Sequence, residues 1–272
     1  GALGAMMHAH SHSHGGHSLD SCAFGHAGTN SWAKPSGFPG TLGLTTVRNA
    51  FSGPQLDFDV KSRPVAAPPA TGGGAAPATP AAPPANEFVV KVKPTTSTDA
   101  VHPCVSSPAG DHSTGTMSLN IGGAATNFDV FLKITPAFAQ KIWNAEDEHL
   151  ADALRAYNIS LKEAETKVNA IASSNREFTG ATEDAAKNAA KDALRATMPA
   201  KLGIDPANWR SAVWQLCLLT ISQRDNLGYH TFGIAFDSVD IATHKVFNKL
   251  TDNTTQIGVH SSTSVVDLAR LP

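Results

Sequence analysis

The chain has 272 residues, 16% of them charged and 41% hydrophobic, and a formal net charge of −2. That length supports one core of roughly 150 residues plus a sizeable additional segment, and the near-neutral balance excludes a nucleic-acid binder that works by phosphate neutralisation. The longest apolar run, residues 212–221, is about half the roughly 20 residues that a membrane-spanning helix needs.

The chain opens with small residues and then alternates them with histidine at His8, His10, His12, His14 and His17; six of the twelve histidines fall within the first 26 positions. No basic stretch precedes an apolar one there, so no secretory signal is visible. Such a tract is either a solvated or engineered tail or a place where several neutral imidazoles reach one transition-metal ion. Cys22, Cys104 and Cys217 show no CxxC spacing. Their odd number argues against a complete disulfide framework and leaves a Cys22–Cys104 bridge open.

Up to residue 63 the apolar side chains, among them Phe24, Trp32, Phe38, Leu44 and Phe51, are scattered without a sustained period. Residues 1–63 therefore read as an irregular arm rich in His, Gly and Ser, ordered against a partner or against the rest of the chain. From Pro64 to Pro84 there are seven prolines, the run Gly72 to Gly74, and no charge. A stretch of that kind cannot bury a core and behaves as a semi-extended spacer, so residues 64–86 are expected to link the arm to a domain spanning 87–272.

That domain reads as α+β. Phe88, Val90 and Val92 alternate with Lys91 and Lys93 as in a half-exposed strand; residues 117–134 alternate on both sides of Gly122 and Gly123, as in a hairpin. Thr135 followed by Pro136 is a helix start, and apolar positions recur at three- and four-residue steps from Phe138 to Ile171. That spacing predicts one long amphipathic helix over 136–173. A second helix is expected over 182–198, with Glu183 and Asp184 in its first turn. A third starts at Asp205 and Pro206, buries Trp209, Val213, Leu216 and Leu219, and stops before Gly228; Cys217 within it reads as a small buried hydrophobe. Strands follow at 232–236 and 256–266.

The residues able to carry chemistry lie on the long helix. Glu146 and His149 are three apart, project from nearly the same face, and fall on the apolar stripe between Ile142 and Ala153. A carboxylate there has to be compensated, because desolvating an ion costs several kcal/mol in order of magnitude. Either this part of the helix is half exposed, with an ordinary Glu–His surface contact, or the pair belongs to a metal or acid–base site.

An alternating strand, Phe128 to Ile134, leads through Thr135 and Pro136 into Trp143, Asn144, Ala145, Glu146, Asp147, Glu148 and His149. This segment resembles the HExxH zincin metallopeptidases, in particular small secreted bacterial zinc-protease-like domains. The resemblance covers roughly residues 117–236 and implies a zinc cofactor. It places Glu146 as the general base, His149 as the second zinc ligand, and His230, just after the third helix, as a distal ligand. The first ligand position holds Ala145, which cannot bind zinc, so the resemblance implies a domain that is catalytically impaired or inactive. Were it active, water would attack an amide carbonyl of peptide or cell-wall material.

The di-iron four-helix proteins also use Glu-x-x-His, but they need two such motifs and two further glutamates, and a second motif is absent. His102, Cys104, Asp111 and His112 are competent ligands in a loop-like setting with irregular spacing. No GxSxG elbow, P-loop or strand-following GxGxxG occurs. The alternative to the enzyme-related reading is a non-catalytic structural or interaction protein, secreted or particle-associated, whose arm orders on a peptide or protein partner.

Overall fold

A computed structural model describes residues 43–47, 50–65, 86–105, 109–226, 232–252 and 266–272. In chain order the elements are β1 (Gly43–Thr46), β2 (Phe51–Ser52), β3 (Phe58–Pro64), β4 (Asn86–Val92), β5 (Thr98–Asp99), β6 (His102–Val105), β7 (Gly110–Ile121) and β8 (Ala124–Ile134). Then come α1 (Pro136–Tyr157), a π turn (Asn158–Lys162), α2 (Glu163–Ser173), β9 (Phe178–Gly180), α3 (Glu183–Arg195) and α4 (Pro206–Asn226). The chain closes with β10 (Phe232–Asp240), β11 (Lys245–Asp252) and a 3-10 turn (Leu268–Arg270). The fold is α+β, and α1, the π turn and α2 form one helical rod of 38 residues.

The helix starts follow from local chemistry. The Thr135 hydroxyl accepts from the Phe138 amide at 3.1 Å, and Pro136 supplies the first helical residue. Thr182 accepts from the Ala185 amide at 3.1 Å, ahead of Glu183 and Asp184, which favour the positive end of α3. Asp205 accepts from the Ala207 amide at 2.9 Å before α4. The β7–β8 hairpin turns at Gly122 and Gly123, whose φ values of +61° and +88° are the pair of positive angles a tight two-residue turn requires.

Among the described residues the strands form four sheets: β1–β6, β2–β5, β3–β4–β9, and β10–β11–β8–β7. In the last, β11 runs parallel to β8 while the other pairs are antiparallel. Phe128, Val130, Leu132 and Ile134 of β8 point inward and are buried, and Leu132 and Ile134 meet Phe138 and Ile142 of α1. On the opposite face Phe131 lies against Phe247 at 5.7 Å between centroids, with the Lys133 ammonium 4.6 Å from the Phe247 ring.

The largest apolar cluster joins the rod to α3 and α4. Leu161, Ala164 and Val168 pack with Ala186, Ala190 and Leu194, with Trp209, Val213 and Leu216, and with Val90 of β4 and Phe178 of β9. Each such large side chain contributes roughly 1.5–3 kcal/mol on burial. Cys217 is 1% exposed and free, as a small core hydrophobe would be.

Residues 1–42 lie outside the described residues, but irregularity does not extend over the rest of the expected arm. Residues 43–64 hold three strands, and β3 pairs with β4 from Phe58 opposite Val92 to Pro64 opposite Asn86. Pairing therefore crosses the boundary that composition suggested, and the Pro/Ala/Gly stretch connects neighbouring strands of one sheet. Apolar residues are sparse there because β3 keeps only Phe58 and Val60 half-buried and leaves its other residues in water. The strand expected at 256–266 lies outside the described residues except for Val266, which is buried coil. Among the described residues no helix is long and apolar enough to cross a membrane.

Candidate functional site

The polar stretch of α1 sits at its midpoint, between the half that packs on the four-stranded sheet and the half that joins the main cluster. Ala145, Glu146, Asp147, Glu148 and His149 are all buried, and Asp152 one turn later is 2% exposed. Successive helical residues are rotated by about 100°, so five buried in a row means that the helix is covered on every side at this level. Strands β1 and β6 and helix α4 lie against it. A stripe pattern cannot signal this, because it presumes one solvated face.

Glu146 and His149 are brought together as the spacing requires. His149 Nδ1 lies 3.5 Å from Glu146 Oε2, with the two residues 2% and 0% exposed. The same Oε2 accepts a short hydrogen bond from the Thr45 hydroxyl, which also lies 3.2 Å from the Glu146 carbonyl oxygen. Strand β1 therefore reaches across about one hundred residues of sequence, |i−j| = 101, to hold the carboxylate. Thr45 itself is 6% exposed. The half-exposed reading of this helix segment is thereby overturned, since the pair is interior.

Ala145 points its methyl into the same interior, at 2% exposure. His230 lies outside the described residues. Among the described residues no three His, Cys, Asp or Glu side chains are grouped so as to hold a metal ion. At the first ligand position of the zincin motif Ala145 offers no donor atom, and Oε2 of Glu146, at that motif's general-base position, is held by Thr45. His102 lies in β6, its Nδ1 3.1 Å from the Ala100 carbonyl, while Asp111 and His112 lie in β7 of a different sheet. Cys217 is no nucleophile either: burial pushes its thiol up to about 12, and the negative charge of Asp152 adds to the effect.

A second polar cluster sits beside the π turn. The Ser97 amide donates to Glu165 Oε2 at 2.8 Å, and the Ser97 hydroxyl donates a short bond to the same atom. Tyr157 Oη is 2.8 Å from Ser97 Oγ, and Lys162 Nζ is 2.5 Å from Glu165 Oε1. Two residues earlier the Thr95 amide donates to Asn169 Oδ1 at 2.8 Å, and Asn169 Nδ2 returns a bond to the Thr95 carbonyl at 2.9 Å. Burial pushes the Glu165 carboxyl up, but the bonds from Lys162 and Ser97 outweigh it and leave it below the ordinary range. A carboxylate held down in this way is a poor proton acceptor, so Ser97 has no effective base. The cluster straps the 93–97 loop to the rod. The only available hint in the sequence is Glu165 beside Ala164 on the buried stripe; its partner lies 68 residues away.

No protein-family model, no characterised protein and no solved structure matches the chain.

Proposed function

We propose that the chain is a non-catalytic binding or structural protein built on a zincin-like metallopeptidase domain that has lost its catalytic apparatus. One observation carries this reading. At the first zinc-ligand position stands the buried methyl of Ala145, and the glutamate beside it is 0% exposed and holds the Thr45 hydroxyl. Hydrolysis of the zincin kind needs three protein ligands and a glutamate free to take a proton from water. Ala145 supplies no ligand atom, and Oε2 of Glu146 is already bound to the Thr45 hydroxyl. The zincin-like part rests on strand β8 running through the Thr135 cap into a helix that carries Glu146 and His149 side by side and inward. The histidine-rich arm has the composition of a segment that orders on a peptide or protein partner.

The test is zinc stoichiometry by native mass spectrometry on three full-length proteins: the parent, His149→Ala and Ala145→His. All three carry the same N-terminal histidine tract, so its contribution cancels. Equal zinc in the parent and His149→Ala is expected. Loss of one equivalent in a folded His149→Ala protein overturns the non-catalytic reading. One added equivalent in Ala145→His supports the zincin-like geometry; no gain in a folded protein counts against that resemblance alone.

A further inference from the structure

We propose that strand β7 pairs edge to edge with the β7 of a second copy of this chain, antiparallel about a two-fold axis at Leu119. The inference goes beyond the reading above and stands apart from it, since neither Glu146 nor His149 takes part.

Strand β7 is an outer strand of the four-stranded sheet, and among the described residues nothing pairs with its other edge. Eight of its twelve residues are exposed, so that edge is open to water. Strand β11 joins β8 only from Asp129 to Lys133. Beyond Thr116 and Asp129 the hairpin therefore continues as a ribbon of two strands, from Met117 opposite Phe128 to Ile121 opposite Ala124. Such a ribbon is marginal in water and gains from further strands.

Long free edges are normally guarded by charge, proline or a bulge. Strand β3 carries Asp59, Lys61, Arg63 and Pro64, and β10 carries Asp237, Asp240 and a bulge between Phe236 and Ser238. By contrast, no ionisable side chain occurs from Ser113 to Phe128, and the β7 bulge, between Ser113 and Gly115, precedes the ribbon. Met117, Leu119 and Ile121 alternate onto one face of this unguarded stretch. Leu119 packs beside Phe128, Val130 and Val246, while Met117 and Ile121 are 41% and 36% exposed.

The pattern is self-complementary, which selects a second copy as the occupant: a two-fold interface sets one patch against itself. With the axis at Leu119, that residue faces its own copy and Met117 faces Ile121 on both sides of it. Ser118 faces Asn120 on the other surface of the ribbon, and no like charges meet. An axis at Met117 would instead set Ile121 opposite Ser113 and Leu119 opposite Gly115, wasting the apolar stripe. Pairing at Leu119 joins the two four-stranded sheets into one continuous sheet.

Sedimentation equilibrium of the full-length protein at micromolar concentration should give the mass of two chains. The double variant Met117→Lys/Ile121→Lys sets lysine against lysine twice across the axis and should raise the dissociation constant on the order of 100-fold. Met117→Lys/Ile121→Asp sets each lysine against an aspartate of the other copy and should hold the dimer within roughly tenfold of the parent. Both positions are exposed, and an unchanged urea midpoint checks that each variant folds. Hydrogen exchange of the parent needs no variant: diluting it below its dissociation constant should speed exchange at residues 117–121 and leave the core of α4 unchanged. A parent that sediments as a single chain, a dimer that survives the double lysine variant, or one lost in the lysine–aspartate variant would overturn the proposal. Exchange at 117–121 that is independent of concentration would do so too.

Discussion

Replacing Glu165 by alanine tests whether the Ser97 cluster is a structural strap. The residue is buried, 8% exposed, and its Oε2 receives both the amide and the hydroxyl of Ser97. Hydrogen bonds to a charged acceptor contribute about 1.5–3 kcal/mol each, and the second bond to one atom adds less than the first. The Lys162 ion pair adds little, because the lysine side chain is 46% exposed, and exposed pairs are worth about 0–1 kcal/mol. Loss of about 2–4 kcal/mol is therefore expected for Glu165→Ala in urea-induced unfolding. Ser97→Ala should cost less, because the backbone amide still reaches the carboxylate, and a double-mutant cycle should show coupling of about 1 kcal/mol or more. The pH dependence has a definite sign. The folded carboxyl sits below its ordinary value of 4.5, so its contribution is fully present above the unfolded pKa and is lost as pH falls through the lower, folded one. The stability gap between the parent and Glu165→Gln should hold from pH 7 down to about 5 and then shrink on further acidification. A Glu165→Ala penalty below about 0.5 kcal/mol, the range of an ordinary surface substitution, or a gap that widens in acid, would refute the reasoning.

Two further outcomes test the packing. Cys217, with its thiol near 12, is about one part in 10⁴ thiolate at pH 8, and it is 1% exposed. A maleimide should therefore leave it unmodified in the native protein by peptide mass mapping, with labelling only at the rate of opening; prompt native labelling would contradict its placement in α4. At Gly180 an added methyl would stand 2.5 Å from the Ala186 nitrogen and 2.8 Å from the Ala185 carbonyl carbon. Gly180→Ala should then lower stability by about 1–3 kcal/mol, as overpacking against backbone does, and an unchanged urea midpoint would show that β9 and α3 are not in that close contact.

The helices were legible because their signals are local. Thr135, Thr182 and Asp205 each cap through atoms two or three residues away, and the 3.6-residue stripe persists through the rod even where a π turn interrupts its hydrogen bonding. The β7–β8 hairpin was legible for the same reason, since its turn lies at two adjacent glycines. Strands β1, β2, β3, β5 and β9 were not. Each is short or half-solvated and is fixed by a partner far away in sequence, as Phe58 is by Val92 across the proline-rich stretch. Composition marks that stretch as unable to fold by itself, and says nothing about whether its two ends meet.

At the candidate site the same distinction separates the visible from the hidden. The i,i+3 spacing announced that Glu146 and His149 would meet, and they do, at 3.5 Å. What decides their chemistry is the hydroxyl of Thr45, a residue on a four-residue strand with no pattern of its own. A glutamate that the zincin resemblance assigns to proton transfer is here a hydrogen-bond acceptor for the hydroxyl of Thr45 on strand β1. A motif on one helix specifies which atoms are available. The long-range contact specifies their surroundings, and here it ties the Glu146 carboxylate to strand β1 in the interior.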